Sequence, residues 1–256
     1  MKIVVSVKQV PARDSSLRLN RDGKWLEEAD LSFEINEPDA YALEEALQLK
    51  EKLGGEVVVV SAGPERTLQT VREALAKGAD RAIHVVTEEQ GAMDVFITAQ
   101  LLAKAIEPES PDLVLTGLQS DDLGYGQTGV IMAELLGFAH ATIVMEVEPQ
   151  NGSFRVKREL ENGWYQYVVL PLPAVLTVQS GIKKLRYATL MGIKKAKTKE
   201  VKSIPVSLLG IDAAPRMTIE RVYAPRRSKQ TQMLSGSPQE MARQLVEKLR
   251  FEARVI

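Results

Sequence analysis

Four short runs of mostly β-branched residues constrain this chain more than anything else in it. They are KIVVSV (2–7), EVVVVSAG (56–63), RAIHVV (81–86) and DLVLTG (112–117). Each is nearly all apolar and is bounded by Gly, Pro or charge, the pattern of strands buried on both faces of a parallel sheet. Helical patterns separate them. EPDAYALEEALQLKEKLGG (37–55) spaces Ala42, Leu43, Ala46, Leu47 and Leu49 three or four apart and stops at Gly54-Gly55. PERTLQTVREALAKGAD (64–80) opens on Pro64 and ends at Gly78. MDVFITAQLLAKAIE (93–107) stops before Pro108, and GQTGVIMAELLG (126–137) stops at Gly137. Such alternation predicts right-handed βαβ crossovers and an α/β fold of three layers, α/β/α, with a mostly parallel sheet.

Antiparallel additions are expected in two places. Residues 11–34 (LRLN, RDGK, WLEE) read as a small hairpin turning at Asp22-Gly23. ATIVMEVE, SFRVKREL and WYQYVVLPL, joined by QNG (150–152) and ENG (161–163), read as an antiparallel patch, followed by a further buried strand in LPAVLTVQ (172–179). Beyond about 183 the character changes. Residues 182–202 carry eight Lys or Arg around Tyr187, Leu190, Met191 and Ile193. Residues 203–236 hold Pro205, Pro215 and Pro225 with little periodicity, and SPQEMARQLVEKLR (237–250) is an amphipathic helix capped by Ser237. The expected organisation is an α/β domain over 1–199, including the basic segment 183–199, and an extended C-terminal arm and helix over 200–256.

Composition excludes several chemistries. With no cysteine, disulfides, thiolate metal sites and cysteine nucleophiles are ruled out. Two histidines make a histidine-rich metal site a poor fit, and a net charge of −1 gives no general pull towards nucleic acid. MKIVVSVKQV reads as a strand, its apolar run broken by Lys8, rather than as a secretory signal. A soluble protein is expected, cytoplasmic in a prokaryote. No Ser–His–acid constellation and no GxSxG elbow occurs, and His84 lies in an apolar strand as a packed side chain.

The chemistry sits instead at the carboxyl ends of the strands, where open parallel sheets bind ligands. After DLVLTG comes LQSDDLGYGQTG, in which Gly117, Gly124, Gly126 and Gly129 let a ligand approach the backbone. A helix starting near Gly126–Gln127 presents free N–H groups to an anion such as phosphate, with Gln127, Thr128 and Ser120 as neutral donors. The loop lacks Lys and Arg and does not match the Walker pattern, so triphosphate hydrolysis is not indicated. Ala62 and Gly63 before Pro64, and Asn36 and Asp39 at a helix start, are two more small polar strand-to-helix turns. Together the three turns suggest a mononucleotide site. GxGxxG is absent.

The blocks VSVKQVP, YALEEALQLKEK, VVSAGP, ALAKGADRAIHV, DLVLTGLQSDD…GQTG, LPAVLTV and LRYATLMGIKKAK resemble, in order and over essentially the whole chain, the β (small) subunits of electron transfer flavoproteins. The resemblance implies an adenine-nucleotide-hydrolase-like fold and an electron carrier subunit rather than a self-sufficient enzyme. It also implies a heterodimer with an α subunit that holds most of an FAD, and an AMP bound by the β subunit itself. Matching blocks carry the nucleotide contacts to Ser6, to Asn36, Glu37, Pro38 and Asp39, and to Ala62. They carry them also to Gly117, Leu118, Gln119, Ser120, Asp121, Asp122, Leu123, Gly124, Tyr125, Gly126, Gln127 and Thr128. LRYATLMGIKKAK (185–197) resembles the loop that docks on acyl-CoA and related flavin dehydrogenases of fatty acid oxidation. Leu190 is then the apolar anchor, with Tyr187, Met191, Lys194 and Lys195 around it. A membrane quinone oxidoreductase is a further implied acceptor. The loop 118–129 is about a residue shorter than in animal members, and residues 11–16 lack an aromatic that touches flavin in some members. Arg13 is the candidate for that place. GQTG and RYATL sit closer to AMP-type members than to electron-bifurcating ones, in which a second FAD replaces AMP. A stand-alone nucleotide-binding protein is the reading from another class.

Overall fold

The computed structural model describes residues 1–87, 94–211, 214–225 and 231–256. Met93, expected at the start of a helix, and parts of the expected arm lie outside them. Two compact units result, Met1–Arg221 and Val222–Ile256.

In the first unit, β1 (Lys2–Ser6), β4 (Glu56–Gly63), β5 (Arg81–Val86) and β6 (Leu113–Gly117) are the four expected strands. They pair in parallel within a nine-stranded sheet of order β11-β5-β4-β1-β6-β10-β7-β8-β9. The remaining members are β7 (Ala139–Gln150), β8 (Ser153–Glu159), β9 (Tyr165–Pro171), β10 (Ala174–Val178) and β11 (Val201–Pro205). Side chains alternate across the sheet with a period of two. Ile3 and Val5 join the core under α1 (Glu37–Leu53) and α2 (Leu68–Lys77). Val4 joins the opposite core under α3 (Val95–Ile106) and α4 (Thr128–Leu136). This is the three-layer α/β/α arrangement expected from the alternation. Each β-branched residue fully removed from water contributes about 1.5–3 kcal/mol, which is why these strands carry almost no polar residue.

The antiparallel strands expected around QNG and ENG are present, and they extend the edge of the same sheet. β7 is 12 residues long, pairs in parallel with β10 at its start, and pairs antiparallel with β8 further on. Its register shifts between, where Ile143 adopts φ 57° and its N–H donates to Thr177 Oγ1 at 3.3 Å. A bulge of this kind bends the strand and increases its local twist.

Residues 201–205, read from sequence as the start of an arm, form β11 against β5. Ile204 packs with Val206 and Leu209 on the α3 side. Pro205 is accommodated because β11 is an edge strand. The segment between β1 and α1 holds β2 (Gln9–Pro11) paired antiparallel with β3 (Phe33–Ile35), and a Leu19–Leu26 bridge closes around the Asp22-Gly23 turn. In the second unit, α6 (Pro238–Glu247) is opened by a capping box between Ser237 and Glu240. No helix among the described residues is long and apolar enough to cross a membrane.

Candidate functional site

The strand order places a switch in winding direction beside β1. From β1 the chain runs through α1 to β4 and through α2 to β5, moving outward along one flank. It then returns through α3 on the other face to β6, on the opposite side of β1. Crossovers that diverge in this way leave a crevice beyond the carboxyl ends of the two strands. Here the crevice lies beyond Ser6 and Gly117. It is walled by the tips of β1, β4 and β6, the first turn of α1, one flank of α3 and the loop leading into α4.

Gly117 ends β6 because nothing larger fits. A Cβ there would stand 2.5 Å from Asp39 Oδ1 and 2.6 Å from Pro38 Cβ. The close approach lets the Asp39 carboxylate accept two backbone N–H groups, from Gly117 to Oδ1 and from Lys8 to Oδ2, each at 2.8 Å. One carboxylate on α1 thus ties the tip of β6 to Lys8, two residues past the tip of β1. Burial pushes the Asp39 carboxyl up to about 7. The N–H bonds of Lys8 and Gly117, the Asn36 side chain and the Lys8 charge pull the other way.

Asn36 performs the matching task on the loop. Its Nδ2 donates to the Gln119 carbonyl at 2.9 Å, and its Oδ1 accepts from the Asp121 N–H at 2.9 Å. The loop is therefore folded back over the start of α1. At its far end α4 begins with no side chain capping its first N–H groups, and its first intrahelical bond runs from Ile131 to the Gln127 carbonyl. Gln127 and Thr128, at that helix start, line the crevice. Gly126, at φ 64°, makes the turn into the helix in the left-handed region, where a side chain would be strained.

Most residues singled out from the sequence meet in this crevice. Ser6, Asn36, Asp39 and Ala62 line it, as do Gly117 to Ser120, Leu123 and Tyr125 to Thr128. Glu37, Pro38, Asp121, Asp122 and Gly124 do not form its wall. Pro38 is buried beneath the Gly117 tip, while Glu37 and Asp121 face Arg13. The Arg13 guanidinium bonds Glu37 and lies 3.5 Å from Asp121. Asp122 is engaged by Lys8, whose Nζ reaches its two oxygens at 2.6 and 2.8 Å and Ser120 Oγ at 3.3 Å. No cluster of three or more His, Cys, Asp or Glu able to hold a metal occurs among the described residues.

Sequence reasoning missed two parts of the wall. Lys8 supplies a cation to a loop with no Lys or Arg of its own, and the only sign of it was a lysine interrupting an apolar run. Val95, Thr98 and Leu102 of α3 close the other side. Nothing local marks them, because α3 reaches the crevice only through the crossover on the opposite face. His84 is fully buried, with its Nε2 2.9 Å from the Gly63 carbonyl and its buried Nδ1 without a hydrogen-bond partner among the described residues.

A second feature lies away from the crevice. Tyr187 and the helix α5 (Leu190–Ala196) project from the first unit, with Tyr187 93%, Leu190 88% and Met191 64% exposed. Lys194 and Lys195 stand exposed on the same helix. The Thr189 side chain caps it by accepting the Gly192 N–H at 3.0 Å.

Comparison with known proteins identifies what carries this architecture. The electron transfer flavoprotein domain matches residues 24–209. The electron transfer flavoprotein subunit beta of Methylophilus methylotrophus is 38% identical over 257 residues, spanning 96% of this chain and 97% of that protein. The subunit of the same name from Bradyrhizobium diazoefficiens is 38% identical over 259 residues and the whole of both chains. The one from Homo sapiens is 35% identical over 261 residues, 100% of this chain and 99% of that protein. The class is thus the electron-carrying flavoproteins, whose subunits are carriers rather than catalysts. Within it, the chain belongs to the electron transfer flavoprotein beta-subunit family.

Proposed function

We propose that the chain is the β subunit of a heterodimeric electron transfer flavoprotein. It binds AMP in the crevice between β1 and β6, completes a flavin site held mainly by an α subunit, and presents α5 to flavin dehydrogenases of the acyl-CoA type. The observation that carries the reading is the crevice itself, at the switch point, with an uncapped helix start and a glycine-built strand tip beside it.

The residues suit an adenylate. A phosphate meets the free N–H groups of α4, favoured by the helix dipole, with Gln127 and Thr128 as further donors. Lys8 neutralises Asp122 close to the anion's place, so the loop's carboxylates do not repel it. Val95 and Leu102 offer apolar surface to a base or ribose. The shared FAD supplies one- or two-electron chemistry. The part of this chain is to hold the partner surface in place, to exclude water, and to be stabilised by bound nucleotide through mass action. The arm that includes α6 packs on the α subunit in this reading. Leu245, Val246 and Phe251 are exposed within its unit, and a partner would cover them.

The test is mass spectrometry of what the purified complex releases on denaturation, with flavin counted per heterodimer. One flavin and one AMP support the reading. Two flavins and no AMP would instead indicate the electron-bifurcating type. A chain isolated as a monomer or homodimer with an adenine nucleotide and no flavin partner would sink it in favour of a stand-alone nucleotide-binding protein.

A further inference from the structure

We propose that Gly192 and Arg186 are positioning residues, which seat the projecting helix α5 on α1 and α2 so that Leu190 meets a partner already ordered. The inference rests on the docking reading of α5. It concerns how that helix is held, not whether it docks.

A helix of seven residues does not persist in water on its own, because nucleation costs more than so few hydrogen bonds return. Leu190 and Tyr187 face solvent and give α5 almost no core of its own; only Ala196 is buried. Something else must hold it, and the attachments come from three directions.

The first is backbone contact. A Cβ on Gly192 would overlap the Ala76 carbonyl oxygen more closely than real Cβ atoms ever approach. The helix therefore lies against the last turn of α2 at a separation only glycine permits. Alanine would raise the intrinsic propensity of an isolated helix, so a loss on Gly192→Ala would report the contact and not the propensity.

The second is an exchange of cations. Arg72 on α2 donates from Nη1 to the carbonyls of Ala196 and Lys199, each at 2.7 Å. Lys199 returns the arrangement, its Nζ donating to the carbonyls of Leu75, at 3.0 Å, and Ala79. Each segment's cation thus serves carbonyls left over at or just beyond the other helix's C-terminal end.

The third is upstream. The Arg186 guanidinium reaches Glu44 through Nε at 2.8 Å and Nη2 at 3.1 Å, and Glu51 through Nη1 at 2.7 Å. The Glu44 side chain is only 4% exposed, so that arm of the fork ends on a buried carboxylate, while Arg186 and Glu51 stay partly open to water. Forked arginine–carboxylate pairs fix direction as well as distance. Lys183 lies 3.6 Å from Glu45 on the same helix. Leu190 follows Arg186 by four residues, so the knob hangs between a fork on α1 and a backbone contact on α2.

Leu190 is 88% exposed, so holding it still buries none of its own surface. A partner does gain, because the ordering cost has been met before it arrives. Loosening the seat should therefore weaken the encounter and leave the electron transfer within the docked complex alone.

The experiment uses the flavin-loaded heterodimer with a flavin dehydrogenase of the acyl-CoA type and its substrate, and compares Gly192→Ala, Arg186→Gln, Arg186→Lys and Leu190→Ala. Hydrogen exchange of residues 187–199 is read alongside steady-state kinetics. Gly192→Ala and Arg186→Gln are expected to speed amide exchange in α5 and to raise the KM for the heterodimer about tenfold, with kcat within about twofold. Arg186→Lys should recover only part of this, since an ammonium cannot fork. If exchange quickens and KM stays put while Leu190→Ala is impaired, the seat is irrelevant to docking and the inference falls. If KM rises without faster exchange, the effect does not pass through the seat, and the inference falls again. If Leu190→Ala is silent too, the docking reading itself has failed. Arg186→Gln keeps the test available should Gly192→Ala not fold.

Discussion

Asp39 and Gly117 stand 78 residues apart in the chain and 2.8 Å apart as acceptor and donor. The same carboxylate holds the Lys8 N–H. The geometry of the crevice turns on this pair, because it fixes the tip of β6 against the first turn of α1.

Asp39→Asn should change how stability depends on pH. In the unfolded chain the carboxyl titrates near 3.8, and in the folded protein near 7. A folded value raised above the unfolded one means that its contribution is fully present below 3.8 and is lost as pH rises through 7. Urea unfolding from pH 4 to 8 should show the wild type losing stability relative to Asp39→Asn across that window, by roughly 3–4 kcal/mol at most, and then levelling. Parallel curves for the two proteins would contradict the assignment.

Gly117→Ala should open the crevice without unfolding the sheet. The added methyl meets Asp39 and Pro38, so either α1 retreats or the Gly117–Asp39 bond breaks. A loss of about 1–3 kcal/mol is expected, the range for overpacking a tight site. Calorimetry should register it, together with at least about tenfold weaker AMP binding by isothermal titration.

Lys8→Met should leave Asp122 unpaired beside the anion's place. AMP affinity is expected to fall about tenfold or more at low salt, and to recover part of that loss as salt rises and screens the bare carboxylate. Titrations at two ionic strengths check both. Unaltered affinity would mean that the phosphate lies elsewhere.

Glu109→Gln tests the opposite end of the sheet, away from the crevice. Arg81 bonds the Glu109 carboxylate at 3.0 and 2.6 Å, and Lys2 joins at 3.1 Å. The Arg81 hydrogen bonds lead in holding this carboxyl down at about 2, against the desolvation that opposes them. A depressed folded value contributes stability that is present above about 4.5 and lost as pH falls through 2. The variant should be less stable at pH 7 and flatter between pH 5 and 2, with nucleotide binding unchanged, as followed by circular dichroism.

Much of this was legible in the residues. KIVVSV, EVVVVSAG, RAIHVV and DLVLTG announced their strands because burial on both faces demands unbroken apolar runs. Gly54, Gly78 and Gly137 announced where helices stop. β11 was not legible, since VKSIP carries too few apolar residues to stand out, and it takes its place by pairing with β5 and packing Val201 and Ile204 against the two cores. The double use of β7 was hidden for a similar reason, as a positive φ at an isoleucine has no sequence signal.

The sequence by itself determined most of the elements and the chemistry of the corners, because both follow from local spacing and from which residues tolerate which backbone. It did not determine which corners would meet. Lys8 finds Asp122 and Ser120 more than a hundred residues away, and α3 walls a crevice that its own residues do not foretell. Those pairings depend on the direction in which each crossover winds about β1, a property of the assembled sheet that no single stretch of chain contains.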